Sequence, residues 1–435
     1  MTGGETKMWS QQRPPRIAVV GQGAREHAIV WKLAQSPRRP ELFALPGNPG
    51  MEGLATCVAT ALRDLDAIVQ FARDEQIDLV VVGPEQPLAD GLVDRLAAAG
   101  IPAFGPLKAA AQLEASKAFS KRLMQEAGVP TARFATFTDV EQALSYLRTQ
   151  PIPVVVKADG LAAGKGVVVA QTLADAEAAV RDMLEGNRFG TSGHRVVIEE
   201  YMQGEEVSCM YFVDAHTVVP MIPARDFKRL RDGDEGPNTG GMGAFAPVPA
   251  VTSDVIECVT KSIVAPAVRQ LAAQGITYRG VLYAGLMLTD EGPKVVEFNA
   301  RFGDPETEVV LPLLASDLFD IMWAVAHDEL RPELVAWRDA ASVCVVLAGA
   351  EYPAKSDVGT PISLPGELPK EVTVFHAGTQ RGRSGAVETA GGRVLTVSAV
   401  DRDVPAAIDR VYSAIAGIHF AGAQYRRDIA HNWQH

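Results

Sequence analysis

Val154-Val-Val-Lys157-Ala-Asp-Gly160-Leu-Ala-Ala-Gly164-Lys165-Gly166-Val-Val-Val-Ala170 is the stretch that decides the fold. Two short β-branched runs flank a glycine-rich turn, so it reads as a β-hairpin and not as part of a parallel βαβ unit. A helical pattern over 173–185 and the apolar run Val196 to Glu200 follow, which makes this region α+β. Lys157 stands at a strand end before a loop whose glycines, Gly160, Gly164 and Gly166, let backbone N–H groups fold over nucleotide phosphates. Lys157 adds a point charge there. The loop lacks the spacing and the closing Ser/Thr of a Walker A sequence. A lysine exposed on an ordinary hairpin is the competing reading.

Upstream, residues 16–105 alternate short apolar runs with helical patterns. Strands are expected at Arg16 to Val20, Glu41 to Leu45, Ile77 to Val82 and Pro102 to Phe104, with helices through about Leu33, near 64–75 and over 87–99. Such alternation implies a parallel sheet with right-handed crossovers. Gly21-Gln-Gly23-Ala-Arg25-Glu26-His27 follows the first strand and opens a helix, where backbone amides and the helix N-terminus suit an anion. A dinucleotide fingerprint would want a small residue where Glu26 stands and an acidic residue closing the second strand, where Leu45-Pro46-Gly47 lies. A phosphate or phosphosugar is therefore expected here and NAD is not; a purely structural turn is the alternative. Gly83-Pro-Glu85 ends the third strand at the same sheet edge.

Downstream, Glu199-Glu-Tyr-Met202-Gln-Gly-Glu-Glu206 offers carboxylates to an adenine amino group and ribose hydroxyls, or else is a solvated strand end. In Lys294-Val-Val-Glu297-Phe-Asn299 the period of two puts Glu297 and Asn299 on one face, an oxygen pair that suits Mg²⁺. Arg301, in the polar run to Asp304 and Thr307, has a fork suited to a carboxylate. Arg225-Asp226-Phe-Lys228-Arg229 leads into Gly236-Pro-Asn238-Thr239-Gly240-Gly241-Met-Gly243, a long loop without hydrophobic period whose density of glycine favours backbone recognition of a polar ligand. A long helix is expected over 253–273, and short strands with Gly/Pro-rich turns from about 336.

The chain has 435 residues, 47% hydrophobic and 22% charged, a globular composition long enough for two to four domains. A net charge of −12 argues against a broad phosphate-tracking surface, so no nucleic-acid partner is expected. No membrane partner is expected, since 18 consecutive apolar residues occur nowhere. Residues 1–15 are polar and read as a flexible extension, not a secretory signal. Cys57, Cys209, Cys258 and Cys344 are too scattered for a zinc cluster or disulfide framework and read as buried reduced thiols, consistent with a cytoplasmic location.

Together these segments resemble the phosphoribosylamine–glycine ligase (glycinamide ribonucleotide synthetase) family of the ATP-grasp superfamily. The likeness runs colinearly from about Arg16 to Asp428 through the Gly21 turn, Val82 to Glu85, Leu113 to Phe119, Lys157 to Val167, Gly236 to Ala244, Tyr283 to Met287 and Glu297 to Thr307. The resemblance implies an α/β N-terminal phosphosugar domain (16–116), a two-lobed ATP-grasp (small lobe 117–207, large lobe with the metal site 208–335) and a β-rich C-terminal domain (336–435). It implies that ATP, glycine and 5-phosphoribosylamine become glycinamide ribonucleotide, ADP and phosphate, with Mg²⁺ or Mn²⁺. By the same likeness Lys117 and Lys157 contact nucleotide phosphates, Gly160 to Gly166 close over them, and Glu199, the backbone at Met202 and Glu206 hold adenine and ribose. Glu297 and Asn299 hold the metal, Arg301 takes the glycine carboxylate, and Asp226 or Asp304 its ammonium. Ala24 and Ala300 depart conservatively from the family pattern. Gly285 stands where other ATP-grasp enzymes often have a third acidic metal ligand, as is usual in this family. A monomer is expected, with a dimer the alternative. Rival readings are an ATP-grasp ligase that carboxylates an aminoimidazole ribonucleotide and a nucleotide-binding regulator without turnover.

Overall fold

The computed structural model describes Trp9 and residues 13–161, 166–186 and 194–434; Gly164 and Lys165 lie outside the described residues. Its first layer is a five-stranded parallel sheet in the order 56–57, 41–46, 16–21, 79–82, 103–104. Buried Val and Ile on both faces of the two central strands match the continuous apolar runs of a doubly covered sheet. The chain leaves Arg16–Gly21 toward one side first and the other side later, so the carboxyl ends at Gly21 and Gly83 form the switch point where open α/β sheets bind ligands. The helix expected over 87–99 is broken into Glu85–Asp90 and Leu92–Ala98 at Gly91, whose φ of +92° suits glycine.

The quoted hairpin forms as read: Val154–Ala158 and Val167–Ala170 pair antiparallel within a sheet ordered 134–137, 196–200, 154–158, 167–170. Helices Val140–Leu147 and Leu173–Glu185 bury an Ala/Leu/Val face against it. A second antiparallel sheet, ordered 218–220, 205–213, 280–289, 292–299, is backed by the helical run 253–273, which takes a π turn at Thr260–Val264.

A third sheet crosses the boundary expected at 335/336. Its order is 225–226, 243–246, 341–348, 393–401, 372–376, so the segment expected as one polar loop begins and ends as strands of the C-terminal sheet and carries the hairpin 229–231/235–238. These strands are only two to four residues long, too short to show a period, and 243–246 joins the C-terminal sheet through a partner about a hundred residues away.

Two described residues of the expected extension, Trp9 and Arg13, pack on the fold. Trp9 is buried, edge-on to Phe319 at 5.9 Å and Trp323 at 5.1 Å, and Arg13 pairs with Asp78 at 2.7 Å. An aromatic this large finds an apolar slot whatever the polarity of its neighbours. Of the cysteines, Cys209 and Cys344 are buried, Cys57 is half-buried and Cys258 is exposed on the helix 253–259; all four are free thiols.

The N-terminal sheet is fastened to the C-terminal sheet beside the switch point. The Asn48 amide donates to the carbonyls of Gln22 (2.9 Å) and His376 (2.8 Å), and the His376 N–H donates to His27 Nδ1 at 2.9 Å.

Candidate active site

A cleft of about 800 Å³ opens between the hairpin sheet and the strand Gly292–Asn299, with the N-terminal and C-terminal parts closing its far end. Lys157 reaches it from the end of Val154–Ala158. In the antiparallel register Val155 lies opposite Glu199, so the period of two points Lys157 and Glu199 to the same face. The Lys157 ammonium pairs with Glu199 Oε2 at 3.0 Å and donates to the Val296 carbonyl at 3.1 Å, which spans the two sheets.

Lys117 is set by a cap. Ser116 accepts the N–H of Phe119 at 3.1 Å and donates to Asp159 at 3.1 Å, while Asp159 also accepts the N–H of Ala118. The helix therefore starts at Lys117, whose ammonium donates to the Gly160 carbonyl at 2.9 Å. A cap of this kind is worth about 1 kcal/mol. Burial lowers the pKa of Lys117, and Glu297 only partly restores it.

Glu297 and Asn299 both face the cleft, 3.4 Å apart through Glu297 Oε1 and the Asn299 amide nitrogen. Burial would raise the Glu297 pKa, but Lys228, Lys157 and Lys117 outweigh it and hold the carboxyl ionised below its ordinary range. Gly285 sits opposite Glu297 in register, and a Cβ there would come within 3.5 Å of Glu297 Cγ. An ionised carboxylate beside an amide that exposes its oxygen after a half-turn is a hard oxygen donor set, and it fits magnesium or manganese.

At the outer end, Met202 and Glu206 line the cleft, and Glu206 pairs with Lys228, while Glu205 pairs with Arg225 at 2.5 Å. Gly160 and Gly166 line it from the hairpin turn.

The inner end collects Arg25, Glu85, Asp226, Asn238, Thr239, Gly240, Arg301 and Asp304. Arg301 is not a free fork: it pairs with Glu114 at 2.8 Å and Glu85 at 3.5 Å. Burial lifts the pKa of Glu114 despite Arg301, whereas at Glu85 the pull of Arg301 and Arg25 overcomes burial and lowers it. Asp226 is half-buried, its pKa driven well up by burial and by the nearby Glu306 charge, and no described residue bonds its buried Oδ1. Asp304 pairs with Arg393 at 2.9 Å, and Arg393 also donates to the Gly240 carbonyl at 2.6 Å.

Five expected residues stand behind this wall instead of lining it: Gly21, Gly23, Glu26, Gly83 and Gly241. The room left by the first glycines is taken by the protein itself. Glu26 Oε2 accepts the Gly23 N–H at 2.7 Å and Oε1 accepts from Arg25 at 2.6 Å, and a Cβ at Gly21 or Gly83 would fall 2.3 Å from Glu26 atoms. The carboxylate thus occupies the amide expected to meet an anion and presents Arg25 to the cleft. Gly241, with φ of +109°, is squeezed between Pro305 and Asp226.

Among the cleft residues that escaped the sequence reading are Lys121, Glu114, Tyr283 and Arg393. A buried lysine one helical turn after Lys117 was the available signal for Lys121. Arg393 has none, because its neighbours are about 90 and 150 residues away.

A hairpin sheet and a second antiparallel sheet that hold lysines and an acid–amide pair around one cleft define the ATP-grasp class of ligases. The family profiles described as the N domain, the ATP-grasp (A) domain and the C domain of phosphoribosylglycinamide synthetase match residues 15–114, 115–307 and 342–432. The chain belongs to the phosphoribosylglycinamide synthetase family. It is 48% identical over 418 residues to the phosphoribosylamine–glycine ligase of Escherichia coli K12, covering 95% of this chain and 97% of that one. It is also 49% identical over 423 residues to the chicken trifunctional purine biosynthetic protein adenosine-3, covering 96% of this chain but 42% of that longer protein. The crystal structure of a Thermotoga maritima phosphoribosylamine–glycine ligase superposes with a TM-score of 0.84 at 34% identity, over 95% of this chain and all of that one. A biotin carboxylase domain from Hydrogenobacter thermophilus, solved with magnesium ADP, shares the fold at 19% identity, a TM-score of 0.72, and coverage of 95% and 92%.

Proposed function

We propose that the chain joins glycine to 5-phosphoribosylamine at the expense of ATP, giving glycinamide ribonucleotide, ADP and phosphate in purine biosynthesis. The observation that carries this reading is the shared cleft lined by Lys157 and Lys117 together with Glu297 and Asn299.

A carboxylate is a poor electrophile, so glycine must first be activated. Its carboxylate oxygen attacks the γ-phosphorus of ATP, the bond to the β–γ bridging oxygen breaks, and glycyl phosphate and ADP form. Such transfer needs alignment and charge neutralisation more than covalent protein chemistry. Lys117 and Lys157 neutralise the phosphates, with the 159–166 segment folded over them, and Glu199, Met202 and Glu206 hold adenine and ribose. Glu297 and Asn299 would hold magnesium or manganese, which adds Lewis-acid charge to the same phosphates. Arg301, braced by Glu114 and Glu85, presents an edge of its guanidinium to the glycine carboxylate, and Asp226 or Asp304 meets the ammonium.

Arg25, steered by Glu26, and Glu85 receive the phosphosugar, beside the loop Asn238 to Gly241 and Lys228. The phosphoribosylamine nitrogen then attacks the acyl carbon, phosphate leaves, and the nitrogen loses one proton. Acyl phosphates hydrolyse, so the closed cleft must exclude water until the amine arrives. The enzyme acts as a cytoplasmic monomer on these small molecules. ADP release measured with each substrate omitted in turn tests the reading: it requires glycine, phosphoribosylamine and divalent metal together, and ADP formed equally well without glycine contradicts it.

A further inference from the structure

We propose that Lys121 is a positioning residue of the nucleotide cleft: it is the standing counter-charge of Glu199, and so leaves the Lys157 ammonium available to a triphosphate. The inference rests on the ATP-dependent reading above and adds a residue to it.

One carboxylate oxygen receives two ammonium groups. Glu199 Oε2 lies 3.0 Å from Lys157 Nζ and 3.2 Å from Lys121 Nζ, and the three side chains are 3–6% exposed. The two lysines are held differently. Lys121 is fastened from behind: it donates to Thr131 Oγ1 at 2.7 Å, Thr131 donates to the Val295 carbonyl at 2.6 Å, and the Phe134 ring lies 5.6 Å away. Thr131 is itself bridged to Val295 in parallel, with the Val295 N–H on the Pro130 carbonyl at 2.8 Å. Lys157 has Glu199 and one backbone carbonyl, that of Val296.

When Lys157 turns toward phosphates, a buried Glu199 without Lys121 would be an uncompensated charge, which is strongly unfavourable. Glu199 would then hold Lys157 back. With Lys121 in place the carboxylate keeps a partner, and its Oε1, unbonded among the described residues, stays oriented in the cleft.

Titration supplies a signature. Burial pushes the Lys121 ammonium down to about 8, with Glu199 partly opposing and Lys157 adding to the fall. The groups that face it are Glu199 and Glu200 from Val196–Glu200, the latter tied to Arg133, Lys157 from Val154–Ala158, and Lys117 on its own helix. The strand Gly292–Asn299 reaches it through the Val295 carbonyl and Thr131. Lys121 is charged below that pH and neutral above it, so Glu199 competes for Lys157 as pH rises.

The test is the ATP KM, kcat and equilibrium ATP binding across about two pH units either side of 8. In the unaltered chain the ATP KM rises on the alkaline side. Lys121→Met raises it at least about tenfold at neutral pH and abolishes that rise. Lys121→Arg, whose guanidinium does not titrate in this range, stays near the unaltered value and loses the alkaline rise. The inference is overturned if Lys121→Met keeps the original KM and pH profile, or if Lys121→Arg keeps the alkaline rise. Should Lys121→Met fail to fold, Thr131→Val, which removes the fastening, decides by a smaller rise in KM or by none. A chain that binds ATP in a Lys121-dependent way but ligates nothing refutes the ligase reading alone; ligation with Lys121-independent ATP affinity refutes this inference alone.

Discussion

Lys157 and Glu297 meet across the cleft from different sheets: the Lys157 ammonium lies 3.1 Å from the Val296 carbonyl, one residue before Glu297, and its charge helps outweigh the burial of the Glu297 carboxyl. Lys157 thus helps set the electrostatics of Glu297 before any ligand arrives, which is the preorganisation that phosphoryl transfer demands.

Lys157→Ala removes one of the three lysines that hold Glu297 ionised. We expect kcat to fall by about 10²–10³ and the ATP KM to rise, by the scale seen when a charge-stabilising donor is lost. Steady-state kinetics at saturating glycine checks it.

Glu297→Ala removes the carboxylate that Lys117, Lys157 and Lys228 hold ionised. Ligase activity should drop by a similar factor and not return at saturating Mg²⁺, and the metal concentration for half-activation of any residual rate should rise. Recovery of the full rate by metal alone would remove Glu297 from the metal site.

Arg301→Lys keeps a charge but loses the fork that spans Glu114 and Glu85. The glycine KM is expected to rise at least about tenfold while the ATP KM changes little, a loss of about 1.4 kcal/mol in glycine binding. Equal effects on both KM values would argue for general damage to the inner wall.

Acid should loosen the clasp between the N-terminal and C-terminal sheets. Burial holds His27 at about 3 and His376 at about 4, both below the ordinary value of 6.5. The unfolded chain therefore binds more protons between these values, so stability is greatest above pH 6.5, falls as pH drops toward 4, and levels below about 3. Each histidine contributes a slope of up to about 1.4 kcal/mol per pH unit. Thermal melting across this range checks it, and His27→Gln should flatten the slope.

What the sequence disclosed was whatever a local period or turn announces. The hairpin at Lys157 and the alternate pair Glu297/Asn299 are short-range patterns, and both stand in the cleft as read. Two kinds of feature were hidden. Arg393 and the strand 243–246 depend on contacts that span about a hundred residues or more, and the strand 225–226 is too short to show a period. The glycines at 21, 23 and 83 were read as room for a ligand, and the side chain that fills this room, Glu26, lies in the same motif. Glycine tells where space is left and not who takes it. Trp9 was passed over because its neighbours are polar, although its indole packs edge-on to Trp323.

A double-mutant cycle on Lys157→Ala and Glu297→Ala, read as kcat/KM for ATP, tests most directly whether both side chains grip one triphosphate. Shared work predicts that the double variant is much less impaired than the sum of the singles, with a coupling of about 1 kcal/mol or more. Single effects that add to within about 0.5 kcal/mol would mean independent sites and would contradict the account.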